Sequence, residues 1–500
     1  MKKIETRSIQ LAGMFLALLA AAGPLAAAPA GAVAPAKLVP VVRVNATNQA
    51  WDFFHPWTKH APYTHRGVGA VLDHGEVLVT AEMVANADYV ELERAESGEK
   101  VPATVEVVDY EADLALLKPA DGAFLDGIAP LELADAAVGD HLAVWQLENT
   151  GALLITDALL TTVEVGRYPE EDVALLSYRL TSSLQYRDGS FTVPIVKAGK
   201  LAGLLLRFDT RTQNADAIPA AVIEHFLHDA AQKSYAGFPK AGLLFSPARD
   251  PQLRRYANIP AMIPGGVYIT HVERDSPAQE AGIKEGDVLL EIAGKSVDQD
   301  GNYTDPRHGK LSLINLISLQ TAGGKVPFKL LRDGNMLTLD VTPRHKAAES
   351  YVIPPYVFDK APSYYVLGGL VLQELSRQYL KEWGTDWLKK SPERLVYYDR
   401  YQSDLFQGER KRLVILSQVL PTTDTIGYEE LSALVVTKIN DVPLMSIADV
   451  PKALEHPLNG FHKIEFEENP NVIYLDARQV SDHADDLKKT YGLPEIGRTE

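Results

Sequence analysis

"GVGAVLDHGEVLVTAEMV", residues 67–84, sets the frame for the chain. Two apolar runs flank an Asp-His-Gly-Glu turn, which predicts a tightly turned strand pair over Gly67–Thr80. Downstream, "VPATVEVVDYEADLALLKP" (101–119) alternates and then runs apolar. "DHLAVWQL" (140–147), "GALLITDALLTTVEVG" (151–166), "VALLSYRLTSS" (173–183) and "GKLAGLLLRF" (199–208) continue the pattern. Many short strands separated by Gly and Asp turns predict a barrel or a sandwich from about Val41 to Ala231. "IPAAVIEHFLHDAAQ" (218–232) closes this unit, its apolar residues at helical spacing.

A second unit centres on "GGVYITHVERDSPAQEAGIKEGDVLLEIAGKSV" (265–297). A strand leads to a short helix with Ser276 as N-cap and Pro277 at its first position. "LSLINLISLQTAGG" (311–324) reads as a helix ended by glycines, and "VPFKLLRDGNMLTLDVTPR" (326–344) as a hairpin around "RDGN". Residues 345–361 carry Pro and charge and read as a linker. A third unit follows over 362–480, and its strand–"INDVPL"–helix order echoes the strand–"IAGKSV" of the second. Residues 481–500 read as a polar tail.

Composition narrows the function classes. Lys2, Lys3 and Arg7 precede the apolar run 11–23, and Ala26–Ala28 supply small residues for cleavage, so residues 1–28 read as a secretory signal peptide and 29–40 as a flexible leader. No other stretch is apolar enough to span a bilayer, so no membrane span is expected after cleavage. The absence of cysteine excludes disulfides and thiolate metal sites. The expected location is the bacterial periplasm. Formal net charge is −17; removing residues 1–28, with three cations and one anion, leaves −19. Such a surface repels nucleic acid, so no nucleic-acid partner is expected. No zincin-type His spacing, P-loop or dinucleotide fingerprint is present, so neither metal nor cofactor is expected from motifs.

Together these segments resemble the Deg/HtrA family, trypsin-like serine proteases with C-terminal PDZ domains. Residues 67–84 match its T-x-x-H-V stretch, "ADLALLKP" (112–119) its acid motif and "SPAQEAGIKEGDVLLEIAGKSV" (276–297) its PDZ core. The last third, with "PSYYVLGGLVLQELSRQYLKEWGTDW" (362–387), resembles plant-organelle Deg proteases and bacterial relatives. The resemblance implies a mainly β fold: a trypsin-like double β-barrel over 41–232, a PDZ domain over 238–344 and a divergent PDZ-like domain over 362–480.

The same alignment exposes departures at the catalytic positions. Asp113 takes the acid position. Met83 falls where the family has its histidine, and a thioether cannot accept a proton near neutral pH. "GSFTVPIV" (189–196) stands for the nucleophile loop; pinned on Gly189 and Pro194, the serine position holds Phe191. Gly189 survives in the oxyanion loop, but Thr192 and Val193 replace the usual glycine pair, and β-branched residues resist positive φ. Ser190 is an alternative nucleophile only if the loop slips by one residue. His74, in a turn, and His141, at a strand start, read as surface residues rather than substitute bases. The expected protein is therefore a pseudoprotease; an active serine endopeptidase using Ser190 and Asp113 is the alternative.

Peptide binding is the retained chemistry that the resemblance implies. PDZ domains add an extended C-terminal peptide to a sheet edge beside a helix. "GLLF" (Gly242, Leu243, Leu244, Phe245) resembles the carboxylate loop, and a groove helix over 311–320 offers Leu313, Ile314 and Ile317 as pocket or core. Expected partners are unfolded proteins or protein C-termini, with homo-trimers or assemblies with active relatives. Trp51, Phe53, Phe54 and Trp57 within 43–57 would form either a trimer contact or packing against the barrel.

Overall fold

The structure, a computed structural model, describes residues 38–499 apart from 171–172, 188 and 407–409. The expected signal peptide and the leader up to residue 37 lie outside the described residues.

Twelve strands build two closed barrels. The first contains β1 (Val41–Asn48), β2 (Tyr63–Val71), β3 (Val77–Val79), β4 (Ala87–Glu93), β5 (Lys100–Asp109) and β6 (Leu114–Pro119), closed in the order β1-β2-β3-β6-β5-β4. The second contains β7 (His141–Leu147), β8 (Leu153–Arg167), β9 (Ala174–Ser182), β10 (Pro194–Lys197), β11 (Lys200–Asp209) and β12 (Asn214–Pro219), ordered β10-β11-β12-β9-β8-β7. Of the two folds left open by strand patterning, the chain therefore adopts barrels. The turn expected at "DHGE" places His74 and Gly75 at φ +64° and +71°. The helix closing this unit runs Ala220–Ala230 and buries Val222, Ile223 and Phe226.

The second unit is built on a six-stranded sheet, five of its strands ordered β13-β14-β15-β19-β20: β13 (Leu243–Pro247), β14 (Val267–Val272), β15 (Val288–Ile292), β19 (Val326–Arg332) and β20 (Asn335–Val341). β16 (Lys295–Ser296) pairs with β15, as expected of "AGKS". Ser276 caps Pro277–Glu280, its Oγ accepting from the Gln279 N–H at 3.2 Å. The expected groove helix over 311–320 is corrected. β17 (Asn302–Asp305) and β18 (Gly309–Ser312) form a hairpin, and the helix is a single turn, Asn315–Ser318. Leu311 and Leu313 fit strand alternation as well as helical spacing, and pairing with β17 decides between them.

Where the chain enters and leaves this unit, Lys240 and Arg344 pair through their backbones. Lys240 also meets buried Glu111 at 3.0 Å, two residues before Asp113.

The third unit is a sheet ordered β27-β26-β24-β23-β22-β21-β28, built from β21 (Tyr364–Leu367), β22 (Leu370–Glu374), β23 (Val414–Val419), β24 (Leu434–Ile439), β26 (Phe461–Phe466), β27 (Val472–Asp476) and β28 (Gly497–Arg498). β25 (Val442–Pro443) turns back on β24 as β16 does on β15, and a helix over Val450–Leu454 follows. By this correspondence β22 matches β13. In the third unit, however, the outer edge of that strand is already paired with β21, and β21 in turn with β28.

Two expectations are corrected here. Residues 481–500 are not a loose polar tail: helix Ala484–Tyr491 buries Leu487, Leu493 is also buried, and β28 joins the sheet. The aromatic stretch 51–57 does not pack on the barrel; it inserts into the third unit. Phe53 joins Leu375, Tyr379 and Trp387 in one cluster, Trp57 joins Tyr364 and Val371 in another, and Phe54 stands edge-on to Trp383 at 4.8 Å. Gln373 Nε2 donates to the Phe53 carbonyl at 3.1 Å. Side chains read as an intermolecular contact are thus consumed within the chain.

Candidate functional site

The short helix Ala81–Val84 carries Met83 into the first barrel's core, fully buried beside Val79, Val84 and Leu117. Phe191 packs against the same cluster, and its ring stacks on His65 at 3.7 Å and 30°. The structure therefore brings Met83 and Phe191, expected at the base and nucleophile positions, to one apolar cluster. Asp113 lies at its margin at φ +53°, a conformation Asp and Asn tolerate better than other side chains. It accepts the Glu82 N–H at 2.8 Å. Burial, and then the charge of Glu82, push its carboxyl well above the usual carboxylate range.

Residues 190–192 lie along β2 like an added strand. The Phe191 N–H donates to the Arg66 carbonyl at 3.0 Å, and the Val68 N–H to the Thr192 carbonyl at 2.8 Å. The Thr80 N–H donates to Thr192 Oγ1 at 3.2 Å. A Cβ on Gly67 would sit 2.4 Å from Thr192 Cγ2, so only glycine permits this approach. Ser190 is buried, 2% exposed, and its Oγ accepts from Gln146 Nε2 at 2.6 Å. Gly189 keeps a positive φ of +93°. His74 is exposed, and His141 pairs with Asp157 at 3.1 Å on the surface.

A cavity of about 750 Å³ opens beside the second unit. Gly242, Leu243, Leu244 and Phe245 line one side, and Leu313, Ile314 and Ile317 the other. β13 ends its sheet, paired only with β14, so its outer edge faces this space. Gly242 has φ +75°, and a Cβ there would lie 2.3 Å from the Ser276 Cβ; the loop requires glycine. Leu313 and Ile317 are buried and double as core, whereas Ile314 is half-buried. Further lining comes from Val173–Leu175 beside the second barrel, from Tyr351 and Tyr356 between the second and third units, and from Arg377, Asp399 and Gln402 of the third unit. All seven residues expected to bind peptide thus converge on one groove.

PDZ-domain models match residues 240–342 and 353–496. Protease Do-like 2, chloroplastic, of Arabidopsis thaliana is 28% identical over 462 residues, covering 91% of this chain and 74% of that protein. Putative protease Do-like 3, mitochondrial, of the same plant is 24% identical over 460 residues, covering 91% and 78%. The chain belongs to the HtrA/Deg family. A solved HtrA-type protease, AlgW with a tripeptide, aligns at 19% identity and TM-score 0.48, covering 62% of this chain and 95% of that one.

Asp113, expected at the family's acid position, is held by the backbone N–H of Glu82. Its raised pKa means the folded state holds the proton more tightly than the unfolded state. The resulting stability is full below the unfolded value near 3.8 and is lost as pH rises through the folded value. Asp113→Asn keeps the positive-φ backbone and an acceptor for the Glu82 N–H while removing the charge. It is expected to stabilise the protein by about 1 kcal/mol at pH 8, raising the melting temperature by ~2–4 °C, with the gain shrinking toward pH 4. Scanning fluorimetry across pH checks this; a loss of stability at pH 8 would contradict it.

Sequence reasoning missed His65 and Arg66. No motif marks a carbonyl that captures a backbone N–H, so only the fold reveals it.

Proposed function

We propose that this HtrA/Deg-family protein is a pseudoprotease of the bacterial periplasm that holds the C-terminal ends of unfolded polypeptides in its first PDZ groove without cutting them. The observation that carries the non-cutting part is the Phe191 N–H donated to the Arg66 carbonyl. In serine proteases the N–H at that position, together with the one two residues earlier, stabilises the oxyanion. Here the first of these donors is engaged, and the side chains at the base and nucleophile positions are apolar. The alternative nucleophile, Ser190, has its Oγ against an amide rather than a base. The expected envelope location rests on the N-terminal segment; among the described residues no helix is long and apolar enough to cross a membrane.

Binding is assigned to the first PDZ domain because β13 keeps an unpaired edge while β22 does not. A peptide strand added to β13 gains main-chain hydrogen bonds, and its last side chain meets Ile314 and Phe245. Fluorescence anisotropy with a panel of labelled hexapeptides tests this. Peptides with a free carboxylate and a large apolar last residue are expected to bind at least about tenfold more tightly than their C-terminal amides, since a charge-assisted contact is worth about 1.5–3 kcal/mol. Ile314→Asp is expected to weaken binding by a similar factor. Equal affinity for acid and amide would contradict carboxylate recognition in this groove.

A further inference from the structure

The loop between β1 and β2 turns back on itself. Trp51 pairs with Lys59, the Asp52 N–H donates to the Thr58 carbonyl at 3.1 Å, and the His60 N–H to the Ala50 carbonyl at 2.9 Å. This ladder holds Asp52 and His60 on the part of the loop that meets the third unit. There Glu382, just past helix Arg377–Lys381, accepts the Phe53 N–H at 3.2 Å. His60 Nε2 lies 3.5 Å from Glu382 Oε1, and one ligand atom each from Asp52, His60 and Glu382 lie within 4.8 Å of one another. Asp52 also accepts the N–H groups of Phe54 and His55, at 2.8 and 3.0 Å, and meets His55 Nδ1 at 2.9 Å.

Charge is what this arrangement lacks. Two carboxylates converge from different parts of the fold, and among the described residues their ion-pair partners are His55 and His60 rather than Lys or Arg. A tetrahedral cation with bonds of about 2.0–2.1 Å places its ligands about 3.4 Å apart, close to the His60–Glu382 spacing. One imidazole nitrogen and two carboxylate oxygens suit Zn²⁺ or a similar first-row cation better than Ca²⁺, which takes an all-oxygen shell. His55, on the far side of Asp52, stands as the outer partner that orients a ligating carboxylate.

We propose that Asp52, His60 and Glu382 bind one divalent transition cation, Zn²⁺ foremost, which fastens the β1–β2 loop of the first barrel to the C-terminal PDZ domain. The motif search missed this site because the ligands are not a local pattern: Glu382 lies 322 residues beyond His60. The cation reinforces the junction that the aromatic stretch 51–57 already makes.

The test uses the untagged, chelator-stripped mature chain in equilibrium dialysis against Zn²⁺ and, separately, Ca²⁺, with thermal melts alongside. One Zn²⁺ per chain is expected, with a melting temperature raised by roughly 5 °C at a hundredfold excess over Kd. His60→Ala and Glu382→Gln are each expected to weaken binding at least about tenfold. His141→Ala, which removes an exposed His–Asp pair elsewhere, is expected to leave it intact. Should His60→Ala misfold by circular dichroism, Glu382→Gln, which keeps an acceptor for the Phe53 N–H, decides alone. Absence of stoichiometric Zn²⁺, unchanged binding in Glu382→Gln, or equal uptake of Ca²⁺ would overturn the proposal.

Discussion

Installing a histidine and a serine at the proposed base and nucleophile positions, Met83→His together with Phe191→Ser, is expected to leave unfolded casein uncleaved above background. The reason lies in the backbone rather than in the side chains. The N–H at position 191 is bonded to the Arg66 carbonyl, and Thr192 is anchored on both faces by Thr80 and Val68. Val193 beside it is fully buried. A new serine would therefore sit on a loop without its oxyanion donor, and one missing donor alone costs about 10²–10³ in rate. A new histidine would have to enter a space that Met83 fills without exposure. Triad residues act as a unit, so partial restoration gains little. Turnover by the double variant, measured by release of labelled fragments, would mean that the loop repacks readily.

The second large effect concerns the wall that the C-terminal domain gives to the groove. Arg377 Nε reaches both carboxylate oxygens of Asp399, at 3.2 and 3.0 Å, on helix Glu393–Leu405. Their side chains are 3% and 0% exposed. Asp399→Asn removes the charge that compensates a buried guanidinium and is expected to cost about 3–5 kcal/mol. Arg377→Met with Asp399→Leu, which removes both charges, is expected to recover most of that loss. Tryptophan emission during urea unfolding is a suitable probe. Four of the five tryptophans, Trp51, Trp57, Trp383 and Trp387, pack in the clusters of this domain. A cost below about 1 kcal/mol for Asp399→Asn would show that the pair is not what fixes this helix.

The same helix marks where sequence reading fell short. "ERLVYYDRYQSDL" (393–405) turns Leu395, Tyr398 and Asp399 inward, so a buried charge stands where an apolar residue would complete the helical pattern. The strands were legible because most turns between them carry Gly, Asp or Asn, and "LALL" is continuously apolar where β6 is buried, but strand patterning left barrel and sandwich both open. The reading of positions 83 and 191 as base and nucleophile rests on the resemblance to the family's motifs. What those side chains do instead, core packing for Met83 and stacking on His65 for Phe191, depends on strands distant in sequence. The extent of the groove helix was overread because Leu311 and Leu313 satisfy two periodicities at once. The pairing of β21 with β22 follows from a Gly368–Gly369 turn at φ +60° and +122°, a signal present in "VLGGLV" but not decisive without the sheet around it.

Incubation of the purified mature chain with labelled, unfolded casein, beside a Ser190→Ala variant, tests the central claim most directly. The predicted result is intact casein with both proteins, while a free-carboxylate peptide still binds each. Cleavage by the wild-type chain that disappears in Ser190→Ala would contradict the account: Ser190 would then leave Gln146, and the loop along β2 would have to slip by one residue to present it.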